Sequence, residues 1–164
     1  YKSVDDLPDF GDYSMANRTY KYYEGEPLYP FGHGLSYTSF AYSDLSVPEA
    51  HDAAKPLPVS VTVTNTGDMP GREVVQAYIQ HKDRAHVAVP RIELVAFEVV
   101  ELAPGERQTI RFDLSPERIG YYDTDGNFVT PEGTEAVLTL GSGQPGYVDE
   151  DSIEESNVRF VSNE

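Results

Sequence analysis

Three pairs of carboxylates stand close together in this chain: Asp5 with Asp6, Asp123 with Asp125, and Glu154 with Glu155. Two carboxyl groups run acid and base chemistry when one cleft holds both and pushes their pKa values apart. Each of these pairs lies in a stretch that reads as loop or tail, so a solvated surface is the expectation. The segment "YYDTDGNFVTPE" sets Asp123, Asp125, Gly126 and Glu132 at the third, fifth, sixth and twelfth places of a calcium-loop pattern. Its first place is Tyr121, which cannot supply the carboxylate ligand, and no helical pattern flanks it. An Asp-Gly hairpin turn accounts for the same residues. The histidines are His33, His51, His81 and His86. His81 and His86 share a loop-like stretch, but zinc takes three or four ligands and no cysteine or third nearby histidine completes a set. Both read as exposed loop residues, and His33 as a packing or hydrogen-bonding residue. No metal site is expected. The nucleophile elbow Gly-x-Ser-x-Gly is absent, and Gly141-Ser142-Gly143 ends a strand-like stretch with no helix after it. No phosphate loop is present, and no cofactor is implied. Asn17-Arg18-Thr19 spells a glycosylation sequon, meaningful in a secreted eukaryotic protein, though chance is the simpler source of so short a pattern. No set of residues carries catalysis, so no catalytic residue is assigned.

The elements that would position such residues are strands. "PVSVTVTNTG" puts Val59, Val61 and Val63 on one face and Ser60, Thr62 and Thr64 on the other, then stops at a turn signal. "REVVQAYIQ" places Val75, Ala77 and Ile79 together, "RQTIRFDL" places Ile110, Phe112 and Leu114, and "EAVLTLGSG" places Ala136, Leu138 and Leu140. "FAYSDLSV" precedes these, and "IELVAFEVVEL" is an apolar run interspersed with Glu. Turn signals fall at "TGDMPG", "LAPGE", "TDG" and "TPEGT", with Gly105 expected at positive φ. No stretch of ten or more residues has a helical period. Six or seven short strands predict an all-β antiparallel sandwich, with Ile79, Phe97, Phe112, Tyr121 and Leu138 in its core. Residues 1–36 read as an irregular aromatic arm, 37–147 as the sandwich, and 148–164 as an acidic tail carrying a short apolar patch, "VRFV".

The totals restrict the partners. The chain has 164 residues, 39% hydrophobic and 24% charged, which fits one globular domain with additional chain. Twelve Lys and Arg stand against 28 Asp and Glu, a formal charge of −16. Such a surface repels phosphate backbones, so nucleic acid is not an expected partner. No run of 18 apolar residues exists, so no membrane span is expected. Lysine is scarce, at positions 2, 21, 55 and 82, which suggests either a salt-adapted surface or a merely acidic one. Cysteine is absent, which excludes disulfides and thiol catalysis but leaves the compartment open. The start has neither the basic nor the apolar region of a signal peptide and no initiator Met, so an excised piece or mature product is expected.

The stretch "LPDFGDYSMANRTYKYYEGEPLYPFGHGLSYTSFAYSDL" resembles the connector that enters the C-terminal domain of glycoside hydrolase family 3. The family's Arg-Thr-Tyr-Arg-Tyr motif is matched by Arg18-Thr19-Tyr20-Lys21-Tyr22, and its Tyr-Pro-Phe-Gly-x-Gly-Leu-Ser-Tyr string by residues 29–37. Lys21 stands where the family often has Arg, and Asn17 where it often has Gly. "VTVTNTGDMPGREVVQAYI", "PRIELVAFEVVELAPGERQTIRFDL" and "GYYDTDGNFVTPEGTEAVLTLGSG" are similar in order and spacing to the family's fibronectin type III-like domain. The resemblance covers nearly all of residues 7–147. It implies an immunoglobulin- or fibronectin-like sandwich, whose parent is a β-glucosidase or β-xylosidase with catalytic barrel and α/β domains. Those domains would carry the nucleophile and acid of a retaining hydrolysis, typically about 5–5.5 Å apart. No residue of this chain corresponds to either role.

The resemblance makes the arm an interdomain packing surface, through Arg18, Tyr20, Tyr22, Tyr29, Phe31, Gly32, Gly34 and Tyr37. Rings supply apolar area at low entropic cost, and Gly32 and Gly34 are expected to turn the backbone. The implied role is a non-catalytic accessory or stabilising domain, with the catalytic domains of the same parent as partners. Two alternatives stand beside it. One is a carbohydrate-binding module contacting sugar through Tyr121, Tyr122 and Phe128, against core packing of those rings. The other is a self-associating interaction module using an exposed sheet edge.

Overall fold

A computed structural model of the chain describes residues 3–6, 9–83, 89–123 and 125–162. Two sheets carry the fold. One holds three strands, β1 (Phe40–Ser46), β3 (Leu57–Asn65) and β6 (Arg107–Leu114), in the order β1-β3-β6. The other holds β2 (Ala50–Asp52), β4 (Gly71–His81), β5 (Glu93–Leu102), β9 (Glu135–Gly141) and β10 (Ile153–Val161), in the order β2-β10-β9-β4-β5. A two-residue hairpin, β7 (Tyr121–Tyr122) with β8 (Phe128–Val129), stands apart from both. The helices are single turns, α1 (Thr19–Tyr22) and α2 (Pro116–Ile119), so the all-β expectation holds.

Alternation decides which side chains enter the core. Val59, Val61 and Val63 of β3, with Ile110 and Leu114 of neighbouring β6, share one buried cluster with Val75, Ala77 and Ile79 of β4 and Leu138 and Leu140 of β9 from the other sheet. Burying an aliphatic side chain of this size contributes about 1.5–3 kcal/mol, so these alternate residues hold the two sheets together. Ile79 and Leu138 lie in this core as expected, and Phe112 is half-buried against it.

Phe97 and Tyr121 do not. Phe97 is 63% exposed on the outer face of the five-stranded sheet. The register explains the inversion. Ala77 pairs with Ala96 and Tyr78 with Leu94, so Val95 is the extra residue of a bulge and the faces of β5 exchange there. Phe97 then pairs with Gln76 and Val99 with Val74, on the outer side. Tyr121 is half-buried beside His81, outside the main cluster.

The acidic tail is also corrected. Residues 153–161 form β10, an interior strand whose Val158 and Phe160 are fully buried. Glu154 and Glu155 suggested a solvated tail, but they sit on the half of β10 nearer the loop, while "NVRFV" alternates into the core. One pairing departs from the antiparallel expectation: β2 runs parallel to β10, Ala50 opposite Arg159.

Asn65 ends β3 and is fully buried. Its Oδ1 accepts from Thr38 Oγ1 (2.7 Å) and from the Gly67 amide (3.1 Å). Its Nδ2 donates to the Met69 carbonyl (2.8 Å) and the Leu102 carbonyl (2.9 Å). One amide thus ties the start of β1, the β3–β4 turn and the end of β5 together, with every side-chain bond it can make in use. Gly105 has φ 74°, as its turn requires, and accompanies this junction through its amide, 2.9 Å from the Asn65 carbonyl.

Candidate functional site

The site is built where the arm meets the outer face of the five-stranded sheet. On β4, Val75, Ala77 and Ile79 face inward, yet Gln76 and Tyr78 on the opposite face are also buried. A strand of an antiparallel sheet with both faces covered needs a second layer. The arm supplies it. Tyr20 Oη accepts the Leu94 amide at 3.0 Å, and the Lys21 carbonyl accepts the Arg91 amide at 2.7 Å. Lys21 Nζ pairs with Glu93 Oε1. Farther along, the Phe31 amide donates to Gln144 Oε1 (3.2 Å), and Gln76 Nε2 donates to the Ser142 carbonyl (2.8 Å) with Gly32 O at 3.5 Å. Tyr78 Oη donates to Gln76 Oε1 at 2.7 Å, completing that amide. Burial raises the Tyr78 hydroxyl's pKa, so it remains a donor.

Gly32 is required at its place. It has φ 77°, and a Cβ there would run into the Gln76 side-chain amide. Gly34 was expected to play the same part and does not: it shows no positive φ, and a Cβ there would meet open space.

The expected arm residues divide into two sets. Tyr20 and Phe31 stack on each other, ring centres 3.9 Å apart and planes 8° from parallel. Arg18 and Tyr22 are half-buried. Arg18 donates to the Asp12 carbonyl, and burial, with Glu93 nearby, raises the Tyr22 hydroxyl's pKa. The remaining rings point away. Tyr29 is 69% exposed, resting against the His33 ring at 5.2 Å, and Tyr37 is 95% exposed. His33 is itself exposed, its ring tilted 37° from that of Tyr29.

Two concavities border this layer. A groove of ≈ 430 Å³ runs between arm residues Phe31–Leu35 and the bare sheet residues Val74, Leu94 and Phe97, with Arg72 also lining it. A cleft of ≈ 520 Å³ is walled by Tyr20, Tyr23, Tyr29, Phe31 and Tyr147, with Arg91 and Gln144 also lining it. The two share Phe31 and Gln144. Val148, Gln144 and Tyr147 come from the loop before β10, where the sequence offered no alternation to read.

The sugar-contact candidates lie elsewhere. Tyr122 (63% exposed) and Phe128 (40% exposed) meet edge to face at 5.6 Å on the β7–β8 hairpin. Tyr121 on the same hairpin turns instead to His81, ring centres 5.3 Å apart. Asp123 caps the turn, its Oδ1 accepting the amides of Asp125 (2.9 Å) and Asn127 (2.8 Å), with Gly126 at φ 82°. Those bonds pull the Asp123 pKa down and describe a turn rather than a cation loop. No cluster of three metal-ligating side chains occurs among the described residues. His81 is corrected: it is a buried residue of β4, not an exposed loop residue, and burial lowers its pKa. His86 lies outside the described residues. The acidic pairs do not converge on a cleft. Among the described residues the buried carboxyl is Glu73, whose Oε1 accepts from Tyr42 Oη at 3.0 Å and whose pKa is raised by burial.

Residues 73–143 match the fibronectin type III-like domain model. The thermostable β-glucosidase B of Acetivibrio thermocellus is 40% identical over 138 residues, covering 82% of this chain and 18% of the relative. A xylan 1,4-β-xylosidase of Xylanibacter ruminicola is 38% identical over 127 residues, 77% of this chain and 14% of the relative. A β-glucosidase structure from Erythrobacter marinus superposes with TM-score 0.73 at 40% identity, covering 84% of this chain and 17% of that one. This chain belongs to the fibronectin type III-like domains of glycoside hydrolase family 3. The family 3 domain spans less than a fifth of the length of these relatives. The aligned share exceeds the stretch matched by the domain model, so the likeness extends beyond the sandwich strands of 73–143. No helix among the described residues is long and apolar enough to cross a membrane.

Proposed function

We propose that this domain is a non-catalytic companion of a family 3 glycosidase, packing through its arm and outer sheet face against the catalytic portion of the same parent. The observation that carries the reading is a clipped backbone with bare rings. The arm is fixed to its own sheet by main-chain and amide bonds at Tyr20, Lys21 and Phe31. Leu35 nevertheless remains 95% exposed in the groove it lines with exposed Val74 and Phe97, and Tyr37 (95%) and Val99 are exposed as well. Apolar surface held in place but uncovered marks an interface. The rest of a relative's length, more than four-fifths, is the source of a partner. A second copy of this chain is a poor one, since two bodies of charge −16 repel.

The relatives, a β-glucosidase and a β-xylosidase, support a β-glucoside or β-xyloside as the parent's substrate. Nucleophile and acid would reside in the partner portion, because the acidic pairs here do not share a cleft. The test mixes this chain with the Acetivibrio thermocellus enzyme cut back ahead of its matching segment. Co-elution with a gain in thermal stability of the truncated enzyme is expected. Turnover of a nitrophenyl glycoside by this chain alone, or a truncated enzyme that ignores it, would refute the proposal.

A further inference from the structure

The cleft walled by Tyr20, Tyr23, Tyr29, Phe31 and Tyr147 is not accounted for by packing. Its ≈ 520 Å³ lies within the range of small-ligand sites, about 300–1,000 Å³. The lining combines ring faces with hydrogen-bond donors. Arg91 lines it, and its guanidinium has a buried Nε–H that lacks a partner. Gln144 spends its oxygen on the Phe31 amide, leaving its NH2 as a donor. Thr19 Oγ1 and Tyr20 Oη each accept one backbone amide, so their own O–H protons remain to be given.

Rings plus donors suit a ligand with apolar faces and acceptor oxygens. The domain's charge of −16 disfavours an anion, so an aromatic acid or phosphate fits poorly. A pyranose has the required form: axial C–H groups on its face and neutral hydroxyl oxygens around its rim. We propose that this cleft is a saccharide-binding site, taking one or two sugar units of a short neutral oligosaccharide. Tyr29 offers the stacking face, being 69% exposed at the cleft, and Arg91 and Gln144 offer the donors. The Tyr122–Phe128 pair is a weaker candidate, because neither ring lines either groove. The proposal is independent of docking to a catalytic portion, since it is read on this chain alone.

The experiment is a chemical-shift titration of the isotope-labelled chain with cellobiose and, separately, xylobiose. Saturable shifts are expected at residues 19–31, 91 and 144–147, with a dissociation constant on the order of 1 mM. Tyr29→Ala and Arg91→Ala each weaken binding roughly tenfold or more, and Tyr122→Ala leaves it unchanged. Tyr29→Ala keeps the test sound if Arg91→Ala unsettles the arm, because the Tyr29 ring is mostly outside the packing. No saturation with either sugar at tens of millimolar overturns the proposal. Shifts centred on residues 121–129, abolished by Tyr122→Ala, overturn it as well.

Discussion

Asn65→Ala removes a side chain that makes four hydrogen bonds. The Asn65–Leu102 bond is buried on both sides, and the bonds to Thr38, Gly67 and Met69 are partly so. A net intramolecular hydrogen bond contributes about 0.5–1.5 kcal/mol, the upper end applying where the abandoned partner stays dry. Taking the upper value for the Leu102 carbonyl and about 0.5–0.8 kcal/mol for each of the other three gives a loss of roughly 3–4 kcal/mol. Domains of this size are stable by about 5–15 kcal/mol, so the loss is a large fraction. At about 2–4 °C per kcal/mol, the melting temperature falls by roughly 6–16 °C. Urea unfolding followed by circular dichroism measures it. Asn65→Asp sharpens the test. It keeps the acceptor for Thr38 and Gly67 but turns a second oxygen toward the Met69 and Leu102 carbonyls, so it is expected to be at least as damaging as alanine. A loss below about 1 kcal/mol for alanine, or aspartate behaving like wild type, would refute the reasoning.

Glu73→Gln is expected to stabilise the domain at neutral pH, because burial raises the Glu73 pKa in the folded state. A raised carboxyl pKa means wild-type stability is fullest below the ordinary value and declines as pH rises through the folded one. The advantage of Gln therefore shrinks as pH falls through the raised folded value and is gone below about pH 4.5, which melting curves at several pH values read directly. His81 has the opposite sign: its lowered pKa makes the neutral ring the folded form, so its contribution is lost as pH falls through that lowered value, and His81→Phe flattens the decline below about pH 6.5. Phe160→Ala, at a fully buried ring of β10, costs about 3–5 kcal/mol, whereas Phe97→Ala stays within roughly 0.5 kcal/mol in the isolated domain. Unfolding titrations that rank the two the other way would remove Phe97 from the outer face. Added salt raises the melting temperature by screening the −16 charge, as a scan from low to high ionic strength would show.

Strands with one buried face were legible in the sequence because their parity survives: Val59, Val61 and Val63 keep one face throughout β3. Parity failed at β5, where Val95 is inserted at a bulge and an apolar run on both sides hides the switch. Nothing local distinguishes an inward Phe from an outward one there. β10 was hidden by charge: Glu154 and Glu155 at its start outweighed Val158 and Phe160, which carry the same alternation over only a few residues. Asn65 falls in the turn signal that ends "PVSVTVTNTG". Its type was informative, but its partners at Thr38 and Leu102 are far away in sequence. The two concavities were out of reach for the same reason, since Gln144 and Tyr147 meet Tyr20 and Phe31 only after both sheets have formed.

The doubly covered β4 gives the arm a thermodynamic role that sequence resemblance alone does not. Ordering a backbone residue costs roughly 1–2 kcal/mol, so fixing an irregular segment such as 20–32 at the moment of docking would consume much of an interface's gain. Here that ordering is met inside the domain. The Leu94 amide on Tyr20, the Arg91 amide on the Lys21 carbonyl and the Phe31 amide on Gln144 anchor the segment at both ends. The Gln76 side chain, held by Tyr78 and Ser142, sets the floor beneath Gly32. Rings presented from such a frame lose little freedom when covered, which favours affinity without enlarging the contact. Gly32→Ala tests the frame rather than the rings. Its Cβ displaces Gln76 and strains φ, so the arm should loosen in hydrogen exchange while β3, β6 and β9 keep their protection. Uniform loss of protection across the sandwich would show instead that the arm is part of the core's cooperative unit and not a layer laid upon it.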